Sequence, residues 1–187
     1  EAGIVEQKAT KKALRIKKEV SIEAAGKHVK LKPSNHIIYD FSIDFNHPSI
    51  GEQQFKFDYS VEQYKEQISR ARTFGFLHEV QYLRSIGLAQ GGTLDNAIVL
   101  DEEKVINPDG LRFDDEFVRH KILDAIGDMS LLGYAIIGEY NAHAGSHHLN
   151  HLLTMKLLED PENYEIIDLE EAVDHAQTLE VAYAKQS

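Results

Sequence analysis

The chain has 187 residues, a formal net charge of −11 and no cysteine. This length suits one large domain or two small ones, and without thiols any metal site must use His, Asp or Glu. The acidic charge argues against a nucleic-acid-binding protein, and no apolar run approaches the roughly 20 residues of a membrane span, so we expect a soluble protein with no integral membrane segment.

Positive charge is concentrated in the first 32 residues, which hold nine Lys or Arg against four Glu. Such a basic face suits a small anionic ligand or a phospholipid surface. Lysines that protect exposed strand edges would explain it equally well. The chain begins with Glu1 rather than Met, so we expect a segment of a longer polypeptide.

Alternating apolar residues predict strands before residue 60. We expect two strands in the first 32 residues, a long strand from Ile37 to Phe45 and a fourth over about 55–59. Ser60 and Gln63 form a capping box that opens a helix through about Arg72. The pattern predicts an α+β fold, with a mostly antiparallel sheet layered against helices.

Residues from about 73 to 110 predict an inserted βαβ-type lobe, with a helix from Leu77 to Ile86 and a strand from Asn96 to Leu100. Its apolar residues exceed what so small a lobe can bury, which indicates a contact surface or an apolar slot. Those residues are Phe74, Phe76, Leu83, Leu88, Ala97 and Val99. We expect one domain over 1–170 that includes this lobe, followed by a C-terminal tail over 171–187.

A helix predicted from Arg112 to Gly133 carries the strongest candidate site. His120, Asp124 and Asp128 are spaced i, i+4 and i+8, so they share one stripe of this otherwise apolar helix. Because a buried carboxylate needs compensation, His120 and Asp124 are candidate ligands of a divalent metal. A capped or salt-bridged pair is the alternative, since His-x-x-x-Asp occurs in many helices.

A second candidate site follows a strand predicted from Tyr134 to Tyr140. Ser146 can cap a helix that runs from His147 to about Leu158, and His147 lies at the corner between loop and helix, where catalytic groups often lie. Four histidines fall within nine residues, at 143, 147, 148 and 151. For His143, His148 and His151 the alternative is that they are exposed polar residues without a role in a site.

Four segments together resemble one enzyme family. They are Ser-Arg-Ala-Arg-Thr-Phe-Gly-Phe at 69–76, Asn-Pro-Asp-Gly-Leu-Arg-Phe at 107–113, Phe-Val-Arg-His-Lys-Ile-Leu-Asp-Ala-Ile-Gly-Asp at 117–128 and His-x-Leu-Asn at 147–150. The family is the zinc-dependent UDP-3-O-acyl-N-acetylglucosamine deacetylases of lipid A synthesis in Gram-negative bacteria. The resemblance runs from Glu1 to about Leu169 and covers only the family's second half.

The resemblance implies a role for each residue of the catalytic site. His120 and Asp124 correspond to two zinc ligands, with Fe²⁺ as an alternative metal. Lys121 and Thr73 correspond to groups that steady the developing oxyanion. His147 corresponds to the general acid, and Asp128 to the carboxylate that orients it.

The resemblance also implies partners. The substrate is an acylated UDP-sugar, for which Phe45 and Asp44 match a uridine contact and Lys27 a residue near the diphosphate, while the lobe forms the acyl-chain passage. The family's first domain, absent here, brings a third zinc ligand from a Glu-His pair and a glutamate used as general base. We therefore expect this segment alone to be inactive, and the enzyme to be cytoplasmic, near the inner-membrane surface.

Two positions depart from the family pattern. Ser146 stands where the family usually has Gly, and Ala144 where it commonly has a phosphate-binding Lys, which leaves the diphosphate contact open, with His143 or His148 as candidates. Two rival interpretations remain. One is a non-catalytic module that binds an acyl or nucleotide ligand, and the other is a separate metal pair formed by His147 and His151.

Overall fold

The computed structural model describes residues 3–5 and 8–169, so the tail predicted over 171–187 lies outside the described residues. The chain there forms, in order, β1 (Lys12–Ile16), β2 (Val20–Ala24), β3 (Lys27–Lys32), β4 (Ile37–Phe45), β5 (Gly51–Asp58), α1 (Val61–Gln63) with a π-helical continuation (Tyr64–Ile68), β6 (Thr73–Phe76), α2 (Leu77–Ser85), β7 (Ala97–Leu100), α3 (Glu116–Ser130), β8 (Ala135–His143), α4 (His147–Glu159), a 3-10 turn (Pro161–Asn163) and β9 (Tyr164–Asp168).

Strand β8 organises the main sheet. On one side it pairs in parallel with β4, which carries β5 on its outer edge. On the other side its residues 139–143 pair antiparallel with β3, and its first three residues, 135–137, pair in parallel with β1. Strand β9 pairs antiparallel with β1, and β2 antiparallel with β3. The predicted α+β fold with a mostly antiparallel sheet is confirmed, although β1 and β4 run parallel to their central neighbour.

Gly138 lies where β8 changes partner, between Ile137, the last residue paired with β1, and Glu139, the first paired with β3. A Cβ atom at this position would lie 2.7 Å from Ile16 Cγ1 and 2.9 Å from the Lys32 carbonyl oxygen. Both distances are shorter than van der Waals contact. Only glycine therefore allows the ends of β1 and β3 to meet the same point of β8.

Helices α3 and α4 pack against each other and against the sheet, α3 over β4 and β5 and α4 over β2 and β3. The apolar side chains that they bury are Phe117, Val118, Ile122, Ala125 and Met129 of α3 and Leu149, Leu153 and Leu157 of α4. Burying each large apolar side chain contributes roughly 1.5–3 kcal/mol. This packing fixes the relative position of the two helices that carry the candidate site.

The lobe forms the βαβ unit that the sequence predicts. Strands β6 and β7 pair in parallel, with Thr73 opposite Ala97, and α2 connects them. Gly87 follows the end of α2 and has the left-handed φ of 81°. Glycine suits this position because the left-handed conformation costs it little energy.

Several predicted boundaries were wrong. The first 32 residues hold three strands rather than two, because the stretch predicted as one strand from Leu14 to Ile22 is broken at residues 17–19, where the Lys17 N–H donates to the Asn163 carbonyl at 2.8 Å. The helix predicted through Arg72 ends at Ile68, with a π-helical last turn. Strand β8 continues to His143 instead of stopping at Tyr140.

The central helix begins at Glu116, not at Arg112, and ends at Ser130. Asp115 has the non-helical angles φ −110° and ψ 32°, as expected of an N-cap residue. The backbone N–H of Arg112 donates to Glu116 Oε2, which holds the preceding residues in a turn. Within the described part of the chain, no helix is long and apolar enough to span a bilayer.

Candidate active site

His120 and Asp124 face each other on α3, with His120 Nε2 3.2 Å from Asp124 Oδ1. The other ring nitrogen, Nδ1, lies 3.2 Å from the carbonyl oxygen of Ala71. Since a carbonyl oxygen only accepts, Nδ1 carries a hydrogen, and Nε2 is the nitrogen that faces the carboxylate. Two acceptors at this distance require a proton or a metal cation between them.

The pair fits a zinc ion. Two nitrogen or oxygen ligands of tetrahedral zinc lie about 3.3 Å apart, which follows from bond lengths of about 2.0–2.2 Å. Burial would raise the pKa of Asp124, but the hydrogen bond and charge of His120 and the charges of Lys121 and His147 outweigh it and lower that pKa. The carboxylate is therefore ionised, as a metal ligand must be.

A complete metal site is not present within 3–5 and 8–169, where no cluster of three or more His, Cys, Asp or Glu side chains could hold an ion. Catalytic zinc sites use three protein ligands and one open position. A zinc ion held by His120 and Asp124 would therefore need another protein ligand from outside these residues.

Asp128 lies one turn beyond Asp124 and contacts the first residue of α4. Its Oδ2 atom accepts a hydrogen bond from His147 Nδ1 at 2.8 Å and one from Asn150 Nδ2 at 2.8 Å. Asn150 Oδ1 in turn accepts from the Tyr140 hydroxyl at 2.7 Å. Because Nδ1 of His147 is bound to Asp128, Nε2 is the nitrogen left to exchange a proton with a ligand.

One member of each pair, Asp124 and His147, lines the same small cavity between α3 and the start of α4. Its lining residues are Phe41, Lys121, Asp124, Gly145, Ser146, His147 and Asn150. The Lys121 ammonium lies 3.8 Å from Asp124 Oδ2 and 5.8 Å from the centre of the Phe74 ring. The cavity thus brings a carboxylate, a cation and a histidine within reach of one ligand.

The loop before His147 is shaped by three consecutive residues, Ala144, Gly145 and Ser146. Ser146 Oγ accepts from the backbone N–H of Leu149, so the residue that replaces the expected glycine caps α4. A Cβ atom on Gly145 would lie 3.1 Å from both Phe41 Cζ and Val29 Cγ1. Ala144, where a lysine was expected, has the left-handed φ of 47°.

The residues considered for the diphosphate contact lie on different elements: Lys27 on β3, His143 on β8 and His148 on α4. His143 lies opposite His28 in the β3–β8 ladder, its Nδ1 3.0 Å from Ser42 Oγ, with the two imidazole rings 6.1 Å apart. Lys27 is exposed at the start of β3, beside His28. His148 and His151 are exposed on α4.

The lobe encloses a cavity of about 580 Å³. Of the residues predicted for the acyl passage, Phe74, Leu83, Ala97 and Val99 line it, and so does Thr73, at the start of β6. Leu88 does not: its side chain is 54% exposed after the turn at Gly87. That assignment was made from hydrophobicity alone, which does not show which way a loop residue faces.

Phe45 and Asp44 end β4 beside the lobe. The Phe45 ring packs edge-on against Phe74, with the ring centres 5.6 Å apart, and Phe76 lies 6.5 Å away. Asp44 is exposed. Phe45 therefore joins the end of β4 to the wall of the lobe cavity.

Sequence reasoning missed the polar groups behind the site. Asn150 and Tyr140 are both buried, and together they fix Asp128. A signal was available for Asn150, which lies three residues after His147 and hence on the same face of α4. No such signal was available for Tyr140, because its position in the sequence is that of an ordinary core residue of a strand.

Comparison with known proteins agrees with the motifs. The family model described as LpxC, UDP-3-O-acyl N-acetylglycosamine deacetylase, matches residues 1–159. A protein of Aliarcobacter butzleri named UDP-3-O-acyl-N-acetylglucosamine deacetylase is 70% identical over 186 residues, which are 99% of this chain and 62% of that protein.

Two further relatives carry the same name. The protein of Nitratiruptor sp. is 62% identical over 186 residues, or 100% of this chain and 62% of the relative. That of Sulfurimonas denitrificans is 59% identical over 184 residues, or 98% of this chain and 62% of the relative. The chain thus spans 62% of the length of each of these relatives, and it belongs to the UDP-3-O-acyl N-acetylglycosamine deacetylase family.

Proposed function

We propose that this chain is the portion of a UDP-3-O-acyl-N-acetylglucosamine deacetylase that supplies two zinc ligands, the general acid and the acyl-chain passage. The proposed reaction is hydrolysis of the substrate's acetamide in lipid A synthesis, and the name that the relatives carry, UDP-3-O-acyl-N-acetylglucosamine deacetylase, supports it. One observation carries the proposal. Asp124, which contacts His120, and His147, which contacts Asp128, line the same cavity.

His120 and Asp124 would hold Zn²⁺, and the same nitrogen and oxygen donors would also accept Fe²⁺. When bound, the metal supplies Lewis-acid chemistry that polarises the amide carbonyl and lowers the pKa of a water molecule. The contact from His120 Nδ1 to the Ala71 carbonyl keeps Nε2 available as the donor atom.

His147 gives a proton to the departing amine from Nε2. The amine leaves as a neutral product only if it is protonated as the carbon–nitrogen bond breaks, so a positioned acid accelerates this step. Asp128 accepts a hydrogen bond from the other ring nitrogen, Nδ1, and its negative charge complements the positive charge of the protonated ring. Asn150 also bonds Asp128 Oδ2, which fixes the direction from which the ring is held.

Lys121 and Thr73 would bind the negative charge that develops on the carbonyl oxygen. Lys121 lies beside Asp124 at the small cavity. Thr73 is the first residue of β6, in the wall of the lobe cavity. It lies two residues after Ala71, whose carbonyl oxygen contacts His120. Donors directed at a developing oxyanion contribute most where water is excluded.

The substrate would extend away from the catalytic groups in two directions. Its acyl chain enters the 580 Å³ lobe cavity, whose lining includes Phe74, Leu83, Ala97 and Val99. Its UDP moiety lies towards Phe45, Asp44 and Lys27. Phe45 offers an aromatic face for a base, and Lys27 a cation for the diphosphate.

The chain spans 62% of the length of these relatives, which supports a partner domain in the full-length protein, and the family resemblance implies that this domain precedes the segment. We infer that this domain contributes the third zinc ligand and the general base, and that the assembled enzyme works in the cytoplasm, near the inner-membrane surface where a lipid product would be used. A two-ligand metal site with a nearby acid is the arrangement expected of half an active site.

The test uses the full-length protein, with zinc content and acetate release measured together. His120→Ala and Asp124→Ala should lose both zinc and activity, whereas His147→Ala should keep zinc and lose activity. If His147→Ala strips the metal instead, the metal pair is His147 with His151. If the wild-type protein binds acylated UDP-sugar but releases no acetate, the chain is the non-catalytic binding module.

A further inference from the structure

A buried ion pair joins the first turn of α3 to the segment before β6. Glu116 is fully buried and Arg72 is 7% exposed, with Arg72 Nε 2.9 Å from Glu116 Oε1 and Arg72 Nη2 3.0 Å from Oε2. The side-chain hydrogen bonds that Arg72 donates to Glu116 raise the pKa of Arg72. Burial raises the pKa of Glu116, but donors from Arg72 and Arg112 outweigh it and lower that pKa.

The pair also binds backbone groups on both sides. Glu116 accepts from the backbone N–H of Arg72 at 3.0 Å and from that of Arg112 at 2.6 Å. Arg72 Nη2 donates to the Gly110 carbonyl at 2.8 Å. Arg112 Nη1 reaches back to the Arg70 carbonyl at 2.8 Å. The backbone on either side of Ala71 is therefore held from both directions.

The held residue, Ala71, makes contact with the candidate metal site. Its carbonyl oxygen is the group that His120 Nδ1 approaches at 3.2 Å. Glu116 lies four residues before His120, hence one turn away on the same face of α3. One helix thus supplies both the candidate ligand and the anchor of the carbonyl that orients it, and Thr73 follows directly after the anchored arginine.

Resting on the proposed function, we propose that Glu116 and Arg72 are positioning residues, which fix the Ala71 carbonyl and through it the tautomer and direction of the His120 ring. An outer group that orients a ligating imidazole typically changes metal affinity or activity 10- to 100-fold when it is altered. Stability alone explains the pair less well, because a buried ion pair often contributes no more than apolar residues of the same volume.

The experiment measures zinc affinity of the full-length protein by competition with a chelator, for Glu116→Gln and Arg72→Lys. Gln keeps the shape but presents an NH₂ group to at least one of the four donors, and Lys loses the paired contact to the carboxylate and the bond to Gly110. Zinc binding should weaken about 10- to 100-fold in Glu116→Gln and by a smaller factor in Arg72→Lys.

The matched control is Asp115→Asn. Asp115 is the neighbour of Glu116 and also forms an ion pair, with Arg119, but that arginine contacts Gln67 and the Phe55 and Phe113 rings rather than residues 70–72. The zinc affinity of the Asp115→Asn protein should stay within about twofold of that of the wild type. Nitrogen chemical shifts of the His120 ring give a second readout: Glu116→Gln should mix the two tautomers, and Asp115→Asn should not.

If both variants bind zinc as tightly as Asp115→Asn and keep one His120 tautomer, the pair is only structural, however far the melting temperature falls. Should Glu116→Gln fail to fold, Arg72→Lys decides by the same two readouts, since it retains the positive charge and the backbone donor. A wild-type protein that binds no zinc would overturn the proposed function itself, which is a separate result.

Discussion

Asn150 donates a hydrogen bond to Asp128 Oδ2 at 2.8 Å, to the same oxygen that His147 Nδ1 contacts. The buried Tyr140 hydroxyl donates to the other end of the Asn150 amide, so the amide has one orientation only. Burial, together with Tyr39 and Asp128, raises the pKa of Tyr140, which keeps this hydroxyl protonated. A core tyrosine in β8 therefore helps to aim the proposed general acid.

Tyr140→Phe should lower kcat several-fold while zinc content stays unchanged, because Asn150 loses the contact that orients it. Stability should fall by about 1 kcal/mol, the usual value of one hydrogen bond. Acetate release and urea unfolding check the two effects. An equal change of kcat in Tyr39→Phe, a neighbouring buried tyrosine of β4, would show that the loss is not specific to the Asn150 contact.

His147→Ala in the full-length enzyme should lower kcat by roughly 10²–10⁴, the range expected for a lost general acid. Asp128→Asn should cause a smaller loss. The acid must be protonated to act, so both variants should lose or shift the basic limb of the pH–rate profile. An unchanged basic limb in His147→Ala would assign the proton transfer to another group.

Glu116 should make unfolding depend on pH. Its pKa in the folded chain lies below the ordinary 4.5, so the folded state gains stability from it above that pH and loses it as the pH falls through the lower, folded value. The difference in unfolding free energy between wild type and Glu116→Gln should therefore shrink as the pH is lowered from about 6 towards 3. Urea unfolding at each pH measures it, with the exposed Glu162→Gln as control. A difference that grows on acidification would contradict the prediction.

Ala97→Phe should narrow the lobe cavity, because Ala97 lines it at the start of β7. Binding of long-chain substrate should weaken by about 1–3 kcal/mol, while short-chain analogues are spared. Leu88→Phe is the matched control, since Leu88 belongs to the same lobe but lies outside the cavity. Equal losses for long and short chains in Ala97→Phe would show that this cavity does not hold the acyl chain.

Residues 1–187 alone should release no acetate, because two ligands leave zinc short of a third and the proposed base lies elsewhere. The segment should still bind zinc, more weakly than the full-length protein does. Calorimetric titration of both forms and an activity assay test this. Turnover by the segment at a rate near that of the full-length enzyme would mean that the preceding domain is not needed.

The local features of this fold could be read from the sequence. Strand β4 has the predicted bounds Ile37 and Phe45, because its period-two pattern is regular and turn residues flank it. The stripe of His120, Asp124 and Asp128 was also predicted, since i and i+4 positions meet on a helix whatever its first residue is. The start of α3 was misplaced because Asp114 and Asp115 look like a first helical turn, whereas Glu116 holds Arg112 outside the helix.

The non-local contacts could not be read in this way. The Arg72–Glu116 pair joins residues 44 positions apart, and neither residue has a local pattern that indicates the other. Likewise, period-two alternation identifies β8 as a strand but does not indicate that it pairs with β1, β3 and β4 together. The roles assigned to all the site residues remain predictions, those of His120, Asp124, Asp128 and His147 as well as those of Thr73, Lys121, Phe45, Asp44, Lys27 and the lobe residues.

The place of β8 has a consequence for the order of folding. Its partners β1, β3 and β4 all lie within the first 45 residues, so the sheet closes only after β8, which begins 90 residues after Phe45, has been synthesised. Until then β3 and β4 have open edges, and β1 lacks both of its neighbours, since β9 comes later still. Open strand edges invite pairing with other chains. A nascent chain halted before Ala135 should therefore be prone to aggregate, whereas one released after Asp168 contains both members of every strand pair described within residues 8–169.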